Sequence, residues 1–147
     1  MFCSAIVKYG ESFTRDNWFF ENITRPFSVI YYSIDGTAFY RMGDKTEKMK
    51  IGCLYIFPSN TAFSLFEDTS DKFYHLYIHA FLHPQLKTLI VKDVSKDMFL
   101  SRIIDFIRAY AKPNKNFYIK ILTELLISYI SESTEETDCM LHFKIKQ

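Results

Sequence analysis

Three of the four histidines in the sequence, His75, His79 and His83, recur at every fourth position. That spacing would place them on nearly one face of a helix, but residues 73–78 are rich in strand-forming residues and predict a strand. On a strand that rises about 3.3 Å per residue, His75 and His79 lie about 13 Å apart, too far for one metal ion. Metal sites need three or four convergent ligands. The sequence therefore predicts no metal and no other cofactor.

His75 and Tyr77 form a better pair for chemistry, because alternate residues of a strand share one face. Together they offer a hydrogen-bonding imidazole and a flat ring that carries a hydroxyl. This combination is typical of a mostly apolar pocket that holds a small polar molecule such as a sugar. The alternative, which the sequence leaves open, is a histidine and a tyrosine buried in an ordinary core.

No catalytic arrangement accompanies that pair. The sequence contains neither a Gly-x-Ser-x-Gly motif nor a glycine-rich phosphate loop. Cys53 lies inside an apolar run, where a thiol is unreactive. Neighbouring carboxylates are confined to the predicted loops and the C-terminal tail. We therefore expect a binding protein and not an enzyme.

The residues between Gly36 and Phe81 predict a series of short strands. Gly, Pro, Asn and Asp separate aromatic and β-branched runs at intervals of about 8–12 residues, which is typical of a β-sandwich or a small barrel. Residues 53–57 are apolar at every position and predict a strand that is covered on both faces. Asp35-Gly36 predicts a hairpin turn, after which residues 37–42 pair back on the preceding strand.

Two further patterns describe the same unit. Residues 27–34 predict a strand that directs Val29 and Tyr31 to one face and Ile30 to the other. Residues 44–48 form a charge run of mixed sign, which predicts a solvated hairpin tip.

After His83 the pattern changes to that of helices. A first helix is predicted from an N-cap at Ser95 to about residue 111, and a second over roughly residues 115–131. The second carries two adjacent apolar stripes, which is more than one contact with a barrel needs. We expect one stripe to pack internally and the other to meet a partner subunit. The alternative is a helix wedged between the barrel and the first helix.

Composition narrows the class of protein. The chain of 147 residues is 48% hydrophobic and 18% aromatic, which fits one domain with a large core and excludes disorder. A net charge of +1 gives no basic footprint for nucleic acid. Three cysteines without a Cys-x-x-Cys motif indicate reduced thiols and a cytoplasmic location. Since no apolar run approaches 18 residues, we expect no contact with a membrane.

Residues 20–131 resemble the N-terminal, ligand-sensing domain of AraC-family transcriptional regulators. The matching pieces are Arg25-Pro26, Gly36 after a strand, the turn and strand Gly52-Cys-Leu-Tyr-Ile-Phe-Pro58, the run Tyr74-His-Leu-Tyr-Ile-His79, and two helices followed by a linker. The resemblance implies a mainly β fold with C-terminal helices. A cupin-type jelly-roll barrel with an N-terminal arm would cover residues 1–82, and a two-helix dimerisation unit would cover residues 83–132.

The resemblance also implies site residues and partners. Arg25, His75 and Tyr77 would contact a small-molecule effector, possibly a sugar, and Leu65 occupies the position of a pocket tyrosine. A homodimer would form through the C-terminal helices, with its interface at Ile119, Leu122, Leu126 and Ile130. Residues 133–147 would be a linker toward a helix-turn-helix domain that is missing from the sequence, and only that domain would contact DNA.

Two other interpretations stay open. A stand-alone cupin, either a metal-dependent enzyme or a sugar isomerase, would use the same barrel, and a metal-dependent one would carry stoichiometric metal. A pure dimerisation module would have a filled barrel without a cavity.

Overall fold

The computed structural model describes the backbone of residues 1–146 and the side chains of residues 1–133. Within that part of the chain, nine strands precede two α-helices. The strands are β1 (Phe2–Phe13), β2 (Phe19–Ile23), β3 (Ser28–Asp35), β4 (Ala38–Met42), β5 (Lys45–Lys48), β6 (Cys53–Phe57), β7 (Phe63–Glu67), β8 (Tyr74–His83) and β9 (Ile90–Asp93). The helices are α1 (Met98–Ala111) and α2 (Asn116–Lys146), and a 3-10 turn, Val94–Lys96, precedes them.

The strands form two antiparallel sheets. The larger sheet has the order β1-β8-β3-β6-β9, and the smaller has the order β2-β7-β4-β5. One apolar cluster joins side chains of both sheets, and a second lies between the larger sheet and the two helices. This arrangement confirms the predicted fold class, a mainly β cupin-type jelly roll followed by C-terminal helices.

Alternation along β6 explains why residues 53–57 are apolar at every position. Tyr55 and Phe57 pack between the sheets, whereas Leu54 and Ile56 pack toward the helices, and all four are buried. A strand in the middle of three layers is covered on both faces, as the sequence predicted for this segment.

The same alternation confirms the predicted faces of the neighbouring strands. On β3, Val29 and Tyr31 point between the sheets and Ile30 points toward the helices. Tyr31 lies directly opposite Tyr77 in the pairing of β3 with β8. The inner face of these two strands therefore brings aromatic side chains together.

The chain crosses from one sheet to the other at Asp35-Gly36, so the prediction that residues 37–42 pair back on the preceding strand is wrong. β4 pairs with β5 and β7, while β3 pairs with β6 and β8. Gly36 supplies the turn with a φ of 81°, and the Thr37 N–H then donates to the Asp71 carbonyl. That bond directs the chain into the smaller sheet. The charged strand β5 is exposed along its length, as predicted for the hairpin tip.

The helical region differs from the prediction at its beginning. Ser95 lies in the 3-10 turn, and the N-cap of α1 is Asp97, whose carboxylate accepts a hydrogen bond of 3.1 Å from the Leu100 N–H. The residues between His83 and Ser95, where the sequence predicts no strand, include β9 at the edge of the larger sheet. A four-residue edge strand leaves too short a pattern to recognise in a sequence.

The second helix is longer than predicted. Its backbone continues past the expected end near residue 131 to Lys146, so it overlaps the proposed linker over residues 133–147. The side chains beyond residue 133 and the whole of Gln147 lie outside the described part of the chain, and the linker role stays a prediction. Among the described residues, neither helix has the length and hydrophobicity to cross a bilayer.

The structure buries three of the four residues of the predicted dimer interface, which itself stays a prediction. Ile119, Leu126 and Ile130 are at most 1% exposed in the cluster beneath the larger sheet, and Leu122 is half-buried against the same cluster. Side chains that are buried within the chain cannot meet a partner. Among the described residues of α2, the exposed large apolar side chains are Phe117, Tyr118, Ile121 and Leu125.

Candidate functional site

A cavity of about 240 Å³ opens between β1, the inner face of the larger sheet and the segment that leads into β2. Its lining residues are Lys8, Ser12, Phe13, Thr14, Arg15, Trp18, Phe20, Tyr31, His75, Tyr77 and His79. Two of the predicted ligand-binding residues, His75 and Tyr77, are therefore part of its wall. The cavity combines aromatic rings, imidazoles and cations, with no carboxylate among its described lining residues.

His75 lies in the inner wall of the cavity and is only 5% exposed. Its ring stacks on Phe73 with centroids 4.8 Å apart and meets the Tyr31 ring edge-on at 4.9 Å. Its Nδ1 is buried and has no hydrogen-bond partner among the described residues. Because an unpaired buried polar atom costs about 1–3 kcal/mol, this nitrogen needs a partner that the chain itself does not supply.

Two neutral imidazoles lie on one face of β8, on either side of Tyr77. Burial, and then the charge of His79, lower the pKa of His75 to about 4. Burial, followed by the charges of Lys8 and Arg25, lowers the pKa of His79 to about 4. Near neutral pH each ring is therefore uncharged and can both donate and accept a hydrogen bond.

These lowered pKa values predict a loss of stability in mild acid. Between about pH 6.5 and pH 4 these histidines are protonated in the unfolded chain but stay neutral in the folded one. The free energy of unfolding therefore falls as the pH falls. From pH 7 to pH 5.5 we expect a loss of about 1 kcal/mol for each of the two histidines. Urea unfolding at both pH values measures this loss, and His75→Phe is expected to remove about half of it. An unchanged pH dependence in that variant would contradict the assignment.

Tyr77 depends on a glycine in the neighbouring strand. Gly10 lies opposite Tyr77 in the pairing of β1 with β8, and a Cβ added there would come within 2.7 Å of the Tyr77 Cζ. The Lys8 Nζ lies 5.7 Å from the centre of the same ring. Gly10 thus leaves room for the Tyr77 ring in the wall of the cavity, where the Lys8 ammonium group lies over the ring.

The outer wall comes from the N-terminal part of the chain, which sequence reasoning identified only as a possible arm. Trp18 lies against Tyr31 at 6.3 Å and against His75 at 5.9 Å between ring centroids. Lys8 and Arg15 add exposed cations to the lining. No signal in the sequence marked these cations, because only the pairing of β1 with β8 brings them to the site.

Arg25 does not line the cavity, although the sequence predicted ligand contact. Its carbonyl accepts a 2.7 Å hydrogen bond from the Asn60 N–H. Its charge acts on the cavity from outside the lining: burial raises the pKa of Tyr31 far above its usual range, and Arg25 opposes that rise. The structure therefore places Arg25 near the site and outside the wall.

Leu65, also predicted as a ligand-binding residue, is not among the lining residues of the cavity. It is 1% exposed and packs in the cluster between the sheets. It lies on β7, opposite Tyr40 on one side and Phe20 on the other. Its position in the smaller sheet directs it into the packed core instead of the open space.

Strand β1 links the cavity to the helices, because alternate residues point to opposite sides. Lys8 and Ser12 line the cavity, whereas Glu11 faces α1. The Glu11 carboxylate is 1% exposed and accepts hydrogen bonds from the Arg108 Nε (2.5 Å) and the Tyr74 hydroxyl (2.7 Å). Burial opposes ionisation of Glu11, but these donors outweigh it and lower its pKa.

Metal ligands do not converge in the part of the chain whose side chains are described. No group of three or more His, Cys, Asp or Glu residues there could hold an ion. The imidazoles of β8 are surrounded by aromatic rings and cations instead.

Comparisons with known proteins find similarity only in structure. No protein family and no curated protein matches the sequence. The crystal structure of unsaturated fatty acid bound wild-type ToxT from Vibrio cholerae strain SCE256 aligns with a TM-score of 0.57 at 10% identity, over 89% of this chain and 56% of the ToxT chain. The E. coli protein Ylba aligns more weakly, with a TM-score of 0.39 at 10% identity over 59% of this chain and 36% of its own. This chain thus spans about half the length of ToxT and shares the fold of the part that aligns.

Proposed function

We propose that this chain is the effector-sensing and dimerisation domain of an AraC-type transcriptional regulator. The observation that carries the proposal is the cavity with the buried, unpartnered Nδ1 of His75 in its wall. The fold shared with ToxT, an AraC-family regulator whose structure contains an unsaturated fatty acid, supports the same role. The effector is a small molecule; a sugar was the expectation from the sequence, and the cations of the lining broaden the choice to acids.

Ligand binding would act on the helices through β1. A ligand in contact with Lys8 or Ser12 touches the strand that also holds Glu11 against Arg108. The hydroxyl of Tyr9, on the same strand, donates a hydrogen bond to the Asn116 side chain at the start of α2. A ligand changes the helix arrangement only if it binds one arrangement more tightly than another. Strand β1 contacts both the cavity and the helices.

Effector binding is tested by a thermal-shift screen against sugars and small organic acids. A ligand at 100 times its dissociation constant adds about 2.7 kcal/mol of stability, which raises Tm by several degrees. We expect at least one compound to do so. His75→Ala is expected to remove the shift, because the ligand loses its contact with the imidazole and a void is left in the wall. If the alanine variant does not fold, His75→Gln is used instead. The absence of any shift, or a full shift in both variants, would count against the proposal.

Dimerisation is proposed through α2, on a different face from the one the sequence predicted. Phe117, Tyr118, Ile121 and Leu125 lie on the side of the helix opposite to the buried stripe, and each is more than 40% exposed. Four large apolar side chains on one helix face are a surface that a second copy can cover. The second copy presents the same face, which gives a two-fold interface.

Charges on that face are expected to dissociate the dimer. Ile121→Glu combined with Leu125→Glu would place four carboxylates in a symmetric apolar interface, and we expect the variant to sediment as a monomer. Because both side chains are exposed in the single chain, folding is expected to be retained. Lys120→Glu, an exposed position on the side of the helix away from this face, is the control. A wild-type monomer at high concentration would reject the interface.

We propose a binding role and not an enzymatic one. The uncharged imidazoles and the absence of a carboxylate from the described lining support a ligand held by contacts alone. Stoichiometric iron, manganese or zinc in the purified protein would favour the competing interpretation, a stand-alone cupin that is either a metal-dependent enzyme or a sugar isomerase. DNA would be bound only by a further domain, and the protein would act in the cytoplasm.

A further inference from the structure

The cavity has an excess of positive charge. Lys8 and Arg15 line it, and the charge of Arg25 reaches two of its side chains. His75 and His79 are neutral near pH 7 and offset none of this charge. No Asp or Glu belongs to its described lining.

Three carboxylates close to the lining do not pair with its cations. Glu11 points to the helix side of β1 and pairs with Arg108. Asp16 pairs with Lys72. Glu67 accepts a hydrogen bond from the hydroxyl of Thr14, a lining residue, and its Oε1 is buried without a partner among the described residues. Within the described part of the chain, Lys8 and Arg15 form no ion pair.

The volume of the cavity limits the size of its ligand. About 240 Å³ is smaller than the roughly 300–1,000 Å³ of the usual site for a drug-sized molecule. A single ring with a short acidic group fills such a space. A long acyl chain would leave most of its length outside.

The walls favour a flat ring. Trp18, Tyr31 and Tyr77 present aromatic surfaces around the open space, and aromatic pairs gain about 0.5–1.5 kcal/mol beyond their buried area. The unpartnered Nδ1 of His75 offers one hydrogen bond from the inner wall to a polar substituent on the ring.

We propose that the cavity binds a compact aromatic monocarboxylate, with the carboxylate held by Lys8 and Arg15 and the ring held among the aromatic side chains. The proposal rests on the sensing role proposed above and names its ligand class. It excludes neutral sugars and long-chain fatty acids as the preferred ligands. Hydrogen bonds to charged groups are the stronger class, so the carboxylate supplies most of the selectivity.

The test uses isothermal titration calorimetry with four acids, each paired with its own primary amide. The acids are benzoate, salicylate, phenylacetate and indole-3-acetate. We expect at least one acid to bind, its amide to bind at least about tenfold more weakly, and the affinity of the acid to fall with added salt. Lys8→Met and Arg15→Gln are each expected to reduce the difference in affinity between an acid and its amide. Lys45→Met, on the exposed strand β5, is the matched control and should leave it unchanged.

Three other results would overturn the proposal in different ways. If an acid and its amide bind with equal affinity, the negative charge of the ligand does not contribute to recognition. If arabinose or oleate binds and no aromatic acid does, the proposed class of ligand is wrong, but the proposed sensing role stands. No binding of any of these probes, together with no hit in the thermal-shift screen, removes the sensing role as well.

Discussion

Replacing Gly36 with alanine is expected to destabilise the protein by about 4 kcal/mol, a large fraction of the roughly 5–15 kcal/mol by which folded domains are stable. The φ of 81° at Gly36 costs any other residue free energy. A Cβ there would also lie 2.6 Å from the Lys72 carbonyl carbon and 2.9 Å from the Phe73 Cα. Backbone cannot move aside as a flexible side chain does. The turn that passes the chain between the two sheets would have to open.

Gly52→Ala is the matched control for that effect. Gly52 has nearly the same φ, 83°, but no atom lies within 4 Å of its added Cβ. Only the conformational cost of about 1 kcal/mol then remains. Urea unfolding of both variants measures the difference. Equal losses of stability would show that the close approach of Gly36 to Lys72 does not exist.

Replacing Glu11 with alanine is expected to cost about 3 kcal/mol in the free energy of unfolding. The carboxylate is 1% exposed and holds Arg108 and the Tyr74 hydroxyl, both of which would lose their partner. Removing one member of a buried ion pair costs about 3–5 kcal/mol, and the lower end applies because water can reach Arg108. Chemical denaturation at pH 7 measures the loss.

The control is Asp16→Ala. Asp16 also pairs with a cation, Lys72, but it is fully exposed, and an exposed ion pair contributes little to stability. We expect its unfolding midpoint to stay at the wild-type value. If Glu11→Ala were as mild as Asp16→Ala, β1 would not be fastened to α1 by this carboxylate, and the proposed route from cavity to helices would lose its first contact.

The fold was predictable where patterns are local and strong. Residues 53–57 could only be a strand covered on both faces, and the alternation in β3 and β8 fixed which side chains point between the sheets. β1 was seen only as a short strand or arm. Its pairing with β8 shifts register near Cys3 and near Ile6, and these irregularities break the regular alternation that identifies a strand.

Of the two walls of the cavity, only the one formed by β8 was predictable from the sequence. His75 and Tyr77 share a strand, so their spacing placed them together. Trp18 and Lys8 reach the same cavity from segments far away in the sequence, and no local pattern predicts that approach. Leu65 was assigned by resemblance to relatives, but the position belongs to the packed core between the sheets in this chain.

The helix faces show a further limit of sequence patterns. Two apolar stripes on α2 were recognised, but nothing in their composition tells which one faces the sheet. The structure buries the stripe of Ile119 and Leu126 and exposes the one with Tyr118 and Leu125. Choosing between them requires the position of the barrel, which depends on long-range pairing.

The most direct test of a ligand in the cavity is the fluorescence of Trp18, the only tryptophan in the sequence, whose ring lines the cavity. Titration with any compound that stabilises the protein should change its emission saturably, with the same dissociation constant as calorimetry gives. His75→Gln should weaken that response without changing the emission of the free protein greatly. A compound that stabilises the protein and saturates a site, yet leaves Trp18 emission unchanged, would show that the effector binds elsewhere.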